Sequence, residues 1–177
     1  MDVGGRVLEI GAIPSDKSLL TLPALRGCER IGVNIEGDVS FDGFPIIACN
    51  SNDMPMFADG HFDCVLTNAT IEHDPFFWKT CAEVRRVLRP GGVAVIGGPG
   101  FTMETSTQAL GLKSPWQCQA DLEWEKCAVT YRYHTAPDDY YRFSPSAFRD
   151  VVFEGFSDVT ITSLMVPPRL IGHGVRT

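Results

Sequence analysis

The sequence is short of positive charge, and this shortage excludes several classes of partner. Lysine and arginine number 15 against 22 aspartate and glutamate residues, which gives a formal net charge of −7. Because nucleic acids and anionic membranes attract basic surfaces, neither is an expected partner. The sequence also has no apolar run long enough to cross a bilayer and no signal-peptide pattern at its start. We therefore expect a cytoplasmic protein.

Paired cysteines and metal-ligand spacings are missing as well. Six cysteines occur, but none forms a C-x-x-C pair and no histidines accompany them at the spacing of zinc ligands. No metal site is therefore expected, and buried free thiols in a reducing compartment explain the cysteines best. The length of 177 residues suits one domain with one sizeable core.

What the sequence does contain is an alternation of strand-like and helix-like segments. Apolar, β-prone runs occupy residues 7–10, 30–35, 46–49, 62–66 and 93–96. The clearest helix pattern covers residues 75–88 and ends at a Pro-Gly-Gly turn, and a weaker one at residues 14–26 is interrupted by Pro23. This alternation predicts an α/β protein with a parallel sheet and right-handed crossovers.

The C-terminal part departs from this alternation. Residues 101–137 show only a weak pattern with one candidate helix at residues 119–129, and connections of such length are usually functional. A helix begins at Ser144, and two β-prone runs follow at residues 159–166 and 169–175. The order helix, strand, strand predicts one antiparallel strand at the edge of the sheet.

The stretch Arg-Val-Leu-Glu-Ile-Gly, residues 6–11, is the centre of the predicted fold. An apolar strand ends in a glycine turn, and ligands of open α/β sheets bind at such carboxyl ends of strands. The next residues are Ala12, Ile13 and Pro14, so the sequence lacks the G-x-G-x-x-G pattern. That absence argues against a dinucleotide-dependent oxidoreductase, which is one alternative for this sheet.

Six short motifs follow one another along the first half of the chain. They are VLEIG (7–11), GVNIE (32–36), CNSNDMP (49–55), DGHFD (59–63), IEH (71–73) and EVRRVLRPGG (83–92). In this order and spacing they resemble class I S-adenosylmethionine-dependent methyltransferases of the small type 11 kind. HTAPDDYYRFSP (134–145) is similar to a segment found in one subgroup of these enzymes.

The resemblance implies a Rossmann-like, mostly parallel seven-stranded sheet with flanking helices and an antiparallel last strand. It also implies a single domain over residues 1–177, in which residues 101–143 form a lid or acceptor-side insertion. The family usually has a helix before its first strand, whereas this chain starts directly at that strand. We therefore expect an open pocket, or one that a homo-oligomer covers on its N-terminal side.

The same resemblance implies S-adenosyl-L-methionine as the cofactor. The residues expected to border its methionine part are Glu9, Gly11, Ala12, Asn68 and Ala69. The residues expected around its ribose and adenine are Asn34, Ile35, Glu36, Asn50, Ser51 and Met54. A glycine turn lets backbone N–H groups approach the ligand, and a carboxylate after the second strand can accept hydrogen bonds from both ribose hydroxyls.

Three positions depart from the family pattern. Ile13 stands where the family has a second glycine, and Asn34 and Asn50 stand where it has aspartates. An asparagine side chain offers one acceptor oxygen and an NH2 group instead of two acceptor oxygens, and it loses the charge-assisted bond. These departures leave an alternative open, a non-catalytic methyltransferase-like module that binds the cofactor weakly or not at all and acts through protein contacts.

Two histidines are candidate catalytic bases. His73 follows the fourth strand and would face the transferred methyl group, or else it holds its loop by hydrogen bonds. His134 belongs to a second group, which forms either an acceptor pocket or a polar network that pins the long connection to the sheet. Other residues expected to bind the acceptor are Asp139, Tyr140, Arg142 and Trp116, and Trp116 has lid packing as its alternative role.

The resemblance implies methyl transfer to a small-molecule or sugar-containing acceptor, at oxygen or nitrogen. Most of the acceleration in such a displacement comes from holding the acceptor in line with the methyl group. A base is required only where the accepting atom must lose a proton.

Overall fold

The structure is a computed structural model that describes residues 5–101, 130–135, 137–165 and 167–177. Its strands are β1 (Arg6–Ile10), β2 (Glu29–Asn34), β3 (Val39–Phe41), β4 (Phe44–Ala48), β5 (Phe62–Asn68), β6 (Leu88–Pro99), β7 (Phe156–Met165) and β8 (Pro168–Arg176). They form one sheet in the order β3-β4-β2-β1-β5-β6-β8-β7. The predicted Rossmann-like α/β fold is confirmed, while the division into domains stays a prediction.

The centre of the sheet is parallel. Strand β1 lies between β2 and β5 and runs parallel to both, and the pairs β2–β4 and β5–β6 are parallel as well. Val7, Leu8 and Ile10 of β1 are almost fully buried, as expected for a strand covered on both faces. Because these strands share one direction, the loops that follow them meet at a single edge of the sheet.

The outer strands are antiparallel. Strand β8 inserts between β6 and β7 and is antiparallel to both, which confirms the expected antiparallel last strand. At the other edge, β3 and β4 form a hairpin around Asp42 and Gly43, whose φ angles are 45° and 78°. This hairpin adds β3 to the sheet, so the described residues form eight strands instead of the expected seven. The Asp-Gly turn that joins β3 and β4 is a typical two-residue hairpin signal.

The helices differ in length from their predictions. The N-terminal pattern gives two 3-10 turns, Leu19–Thr21 and Pro23–Leu25, because the proline prevents one continuous helix. Helix α1 covers Phe77–Val87, and α2, Pro145–Ala147, continues as a π-helical turn over Phe148–Val152. The candidate helix at 119–129 lies outside the described residues. No helix in the described part is long and apolar enough to span a membrane.

One face of α1 makes structural contacts with the loop that follows β4. The backbone N–H of Met54 donates to Glu83 Oε2 at 2.7 Å, and Arg86 donates to the carbonyl oxygens of Met54 and Phe57. Arg86 also donates to Glu83, and these hydrogen bonds lower the pKa of the Glu83 carboxyl. The helix thereby fixes the loop that follows β4, close to the carboxyl edge of the sheet.

Candidate functional site

The turn after β1 brings backbone to the carboxyl edge. The φ angle of Gly11 is +81°, in the left-handed region that glycine adopts without strain. A Cβ atom at this position would collide with the side chain of Thr70. The N–H groups of Gly11 and Ala12 both donate to the carbonyl of Val33, at 2.9 and 3.2 Å. The turn is therefore tied to β2 on one side and pressed against Thr70 on the other.

A cleft of about 270 Å³ opens beside this turn, at the carboxyl ends of β1, β2 and β4. Ligand sites of open α/β sheets are expected at this position. Six residues that the sequence assigned to the site line the cleft, and they are Gly11, Asn34, Ile35, Asn50, Ser51 and His73. The structure thus brings together residues that four separate motifs contribute.

Asn34 uses its side chain to hold the backbone around the cleft. Its Nδ2 donates to the carbonyl of Ala12 at 2.8 Å, and its Oδ1 accepts from the N–H of Glu36 at 3.3 Å. An aspartate at this position has no hydrogen to donate to Ala12. The asparagine therefore closes the β1 turn onto β2, a function that the usual carboxylate of the family cannot supply.

The loop after β4 is fixed by a chain of polar contacts. Asn50 Oδ1 accepts from the N–H of Asn52 at 2.9 Å, while the Asn50 amide nitrogen has no partner among the described residues. Asn52 Nδ2 donates to Asp74 Oδ2 at 2.6 Å. The hydroxyls of Ser51 and Thr80 lie 2.8 Å apart, and Thr80 donates to Asp74. These hydrogen bonds fix the backbone of the loop. The Asn50 NH2 group, which takes no part in them, lies beside the cleft.

Two apolar side chains flank the mouth of the cleft. Ile35 is 82% exposed and Phe76 is 48% exposed, although both line the cleft. Large apolar side chains left exposed beside a concave surface are typical of a binding site. They provide two apolar surfaces against which a flat aromatic ring can pack.

Glu9 lies outside the cleft lining. Its carboxylate is almost fully buried and accepts from the N–H groups of Leu19 and Leu20, at 3.0 and 3.3 Å, and from the Ser18 hydroxyl. These bonds cap the first 3-10 turn and occupy both carboxylate oxygens. Glu9 therefore anchors the segment that follows the glycine turn.

Four other predicted cofactor residues line neither cavity of the described structure. Ala12 and Met54 are fully buried beneath the site, where Ala12 packs against Gly32. Asn68 and Glu36 are exposed at the ends of their strands, and the Glu36 carboxylate has no partner among the described residues. Their predicted contacts with the cofactor stay predictions.

A second cavity of about 110 Å³ adjoins the cleft. His73 lines both, and Ala69 and His134 line the second one. The rings of the two histidines have centroids 4.9 Å apart. Ala69 adopts a φ of 55°, which is uncommon for a residue with a side chain and typical of functional sites. Both candidate bases therefore face one small space.

The hydrogen bond of His73 defines which ring nitrogen is available. Its Nδ1 lies 2.7 Å from the carbonyl oxygen of Asp138, which can only accept, so the neutral ring carries its hydrogen on Nδ1. The Nε2 lone pair is then free to accept a proton. It lies 3.8 Å from Glu72 Oε1. Both roles considered for His73, as a base and as an anchor of its loop, fit this geometry.

Arg142 and Asp139 form a buried pair that holds the segment after residue 130. Arg142 donates to both carboxylate oxygens of Asp139, and this lowers the pKa of that carboxyl. The guanidinium also donates to the carbonyls of Tyr131 and Arg132, each at 3.1 Å. This arrangement matches the polar network that the sequence offered as an alternative to an acceptor site.

Tyr140, a further predicted acceptor residue, lies outside both cavity linings. Tyr140 is half exposed and its hydroxyl donates to Asp138 Oδ2 at 3.3 Å, while its N–H donates to the carbonyl of Glu72. Trp116 lies outside the described residues. The role of each in binding an acceptor stays a prediction.

The structure adds residues that the sequence did not single out. Thr70 and Phe76 line the cleft, and Glu72 and Arg169 line the second cavity. From the IEH motif the sequence singled out only His73, and Phe76 directly precedes α1 without a functional signal of its own. Arg169 carried none, because only the insertion of β8 beside β6 brings it to this edge.

The described fold and cleft define a Rossmann-like α/β protein with a cleft at the carboxyl ends of its parallel strands. A family model described as "Methyltransferase domain" of type 11 matches residues 25–96. This match over part of the chain confirms the resemblance to class I S-adenosylmethionine-dependent methyltransferases.

Curated relatives agree with this assignment. An uncharacterized methyltransferase of Mycobacterium sp. strain JLS is 35% identical over 100 residues, which cover 52% of this chain and 38% of the relative. Its counterpart from strain KMS is 34% identical over the same extent. The matched part of the chain therefore spans well under half the length of these relatives.

Solved structures show the same fold. Phosphoethanolamine N-methyltransferase 2 of Haemonchus contortus, in complex with S-adenosyl-L-methionine, matches 99% of this chain and 49% of its own, with a TM-score of 0.64 and 14% identity. The 1,6-didemethyltoxoflavin-N1-methyltransferase of Burkholderia thailandensis matches 98% of this chain and 71% of its own, with a TM-score of 0.65 and 16% identity.

Proposed function

We propose that this protein transfers a methyl group from S-adenosyl-L-methionine to a small-molecule or sugar-containing acceptor, at oxygen or nitrogen. The observation that carries the proposal is the cleft at the turn of Gly11, where residues of the family motifs converge at the carboxyl ends of the parallel strands. The polar second cavity adjoins this cleft through His73 and provides a place for the acceptor.

The residues of the cleft fit this cofactor. The left-handed turn at Gly11 lets the chain approach the methionine part closely, since a side chain there would fill the space next to Thr70. Ile35 and Phe76 offer apolar faces to adenine, and the free amide of Asn50 can donate to a ring nitrogen. An aspartate at that position would accept from the exocyclic amine instead, so Asn50 changes the polarity of the contact.

The ribose contact differs most from the family pattern. Asn34 gives its amide hydrogen to Ala12, which leaves only its oxygen as an acceptor, and that oxygen is shared with a backbone N–H. Glu36 stands two residues further on with an exposed carboxylate. We assign the second ribose hydroxyl to Glu36, because a carboxylate can accept the bond that Asn34 has lost.

The cofactor supplies a methyl group that its sulfonium already activates. The tasks left to this chain are to hold the acceptor beside that methyl group, to exclude water and to take up a proton where one is released. His73 is placed for the last task, because it lines both cavities and its Nε2 lone pair is free.

Calorimetric titration with S-adenosyl-L-methionine and with its demethylated product tests the proposal directly. A dissociation constant below about 100 µM, or about −5.5 kcal/mol, supports a methyltransferase. The absence of binding at millimolar ligand contradicts it and supports the alternative of a non-catalytic module that uses the same fold.

A further inference from the structure

Glu72 is a buried side chain with an unused hydrogen-bonding atom. The residue is 4% exposed, and its Oε2 has no hydrogen-bond partner among the described residues. Leaving a buried carboxylate oxygen without a partner is costly, so such an atom requires an explanation. Burial raises the pKa of this carboxyl. Because Glu72 lines the second cavity, a ligand in that cavity would supply the missing donor.

Arg169 faces the same cavity with an uncompensated positive charge. Its guanidinium lies 5.0 Å from the ring centroid of Tyr131, and within the described ranges no carboxylate lies close enough to form an ion pair with it. Arg142, the arginine that the sequence assigned to an acidic acceptor, is by contrast saturated by Asp139 and by backbone carbonyls. An acidic group entering the cavity would therefore meet Arg169.

Glu72 and Arg169 come from different parts of the fold. Glu72 belongs to the 3-10 turn Ile71–His73 after β5, and Arg169 belongs to β8, which pairs with β6. The cavity between them measures only about 110 Å³ and has His73 and His134 on its walls. A ligand that satisfies both groups must be compact, with its donor and its negative charge a few atoms apart.

We propose that the second cavity binds the head group of a carboxylic-acid acceptor that carries a hydroxyl or amine beside its carboxylate. Arg169 binds the carboxylate, and Glu72 accepts the hydrogen bond of the neighbouring hydroxyl or amine. This assignment rests on the proposed function and names the class of acceptor for that site. His73 lines both this cavity and the cleft. An acceptor bound in the cavity would therefore hold its hydroxyl or amine beside the cofactor.

Small probes can separate the two halves of this recognition. Racemic lactate and alanine carry a carboxylate beside a hydroxyl or an amine, propanoate carries the carboxylate alone, and 2-propanol carries the hydroxyl alone. We expect lactate or alanine to bind the full chain with a dissociation constant of about 1–10 mM, as suits ligands of this size. Ligand-observed NMR measures such affinities. Tighter binding of lactate indicates a hydroxy acid as the acceptor, and tighter binding of alanine indicates an amino acid.

Three variants assign the contacts. Arg169→Gln should weaken lactate, alanine and propanoate alike by about tenfold. Glu72→Leu, which has no acceptor atom in its side chain, should remove the preference of lactate or alanine over propanoate and leave propanoate unchanged. Arg149→Gln is the matched control, because Arg149 is an exposed arginine on the helix after Ser144 whose carboxylate partner is Asp150. It should leave every affinity unchanged.

Titration of the same samples with the demethylated cofactor separates the two proposals. Cofactor binding without binding of any carboxylate probe overturns the acceptor site and leaves the proposed function intact. Equal binding of propanoate and the two donor-bearing acids also overturns it, because Glu72 would then recognise nothing. Probe binding without cofactor binding supports the acid site and contradicts the methyltransferase. Equal loss in Arg169→Gln and Arg149→Gln overturns the role of Arg169.

Discussion

The side-chain amide of Asn34 donates a hydrogen bond of 2.8 Å to the main-chain carbonyl of Ala12. This bond joins the end of β2 to the turn after β1, the two backbone segments that border the cofactor cleft. An aspartate, which the resemblance implies at this position, could not donate this bond. The Asn34 side chain therefore has a structural role in the turn after β1.

Replacing Asn34 by aspartate should destabilise the protein. The new carboxylate would face the carbonyl oxygen of Ala12, and we expect the free energy of unfolding to fall by about 1–2 kcal/mol. Urea unfolding followed by circular dichroism measures the change. Asn50→Asp is the matched control, because the Asn50 amide nitrogen has no partner among the described residues, and its effect should stay within about 0.5 kcal/mol. Equal stability of both variants would contradict the structural role of Asn34.

Removing the carboxylate of Glu36 should weaken cofactor binding without affecting the fold. We expect Glu36→Ala to raise the dissociation constant for S-adenosyl-L-methionine about ten- to hundredfold, because one hydrogen bond to a charged group contributes about 1.5–3 kcal/mol. Calorimetry gives the value. Glu29→Ala, an exposed glutamate at the opposite end of β2, serves as the control. If Glu36→Ala binds the cofactor as tightly as Glu29→Ala does, the ribose is held by other groups.

The glycine turn should tolerate no side chain. Gly11→Ala adds a methyl group against Thr70 at a φ of +81°, so we expect loss of cofactor binding and a destabilisation of about 1–3 kcal/mol. Gly27→Ala is the comparison, because a Cβ at Gly27 meets no atom within 4 Å. Thermal unfolding and cofactor titration of both variants test this. If Gly11→Ala still binds the cofactor, the methionine part of the cofactor does not lie against this turn.

His73→Asn separates the two roles of this histidine. An asparagine amide can still donate to the Asp138 carbonyl, as Nδ1 does, but it has no counterpart of the basic Nε2. If His73 is the base, the turnover number should fall about 10²–10⁴-fold while cofactor affinity stays unchanged. Transfer of a radiolabelled methyl group to the acceptor measures turnover. Unchanged turnover would leave His73 with the anchoring role alone.

The Asp139–Arg142 pair should make stability depend on acid. Because the hydrogen bonds from Arg142 lower the pKa of folded Asp139, the pair contributes fully above the unfolded pKa of about 4 and is lost as pH falls towards the lower folded value. Asp139→Asn should lose about 3 kcal/mol at pH 7. Urea unfolding from pH 2.5 to 7 should show the two proteins converging in acid. Parallel curves would contradict the prediction.

Much of the site could be predicted because its residues lie in short motifs at strand ends. Gly11, Asn34 and Asn50 each lie at or just after the end of a strand, and parallel strands align their carboxyl ends whatever the rest of the chain does. The role of Glu9 could not be predicted, since nothing local indicates that a carboxylate at the end of β1 will cap the turn at Leu19. Hydrogen-bond partners depend on the path of the loop between them.

The sequence alone determined the class of fold, the parallel core and the edge of the sheet at which the cleft lies. These follow from local periodicity and from the geometry of consecutive strands, which act over a few residues. Only the tertiary structure decided that Asn34 holds Ala12, that Arg142 is saturated by Asp139 and that Arg169 meets Glu72 across a small cavity. Such pairings join segments distant in the chain, and packing in three dimensions alone selects them.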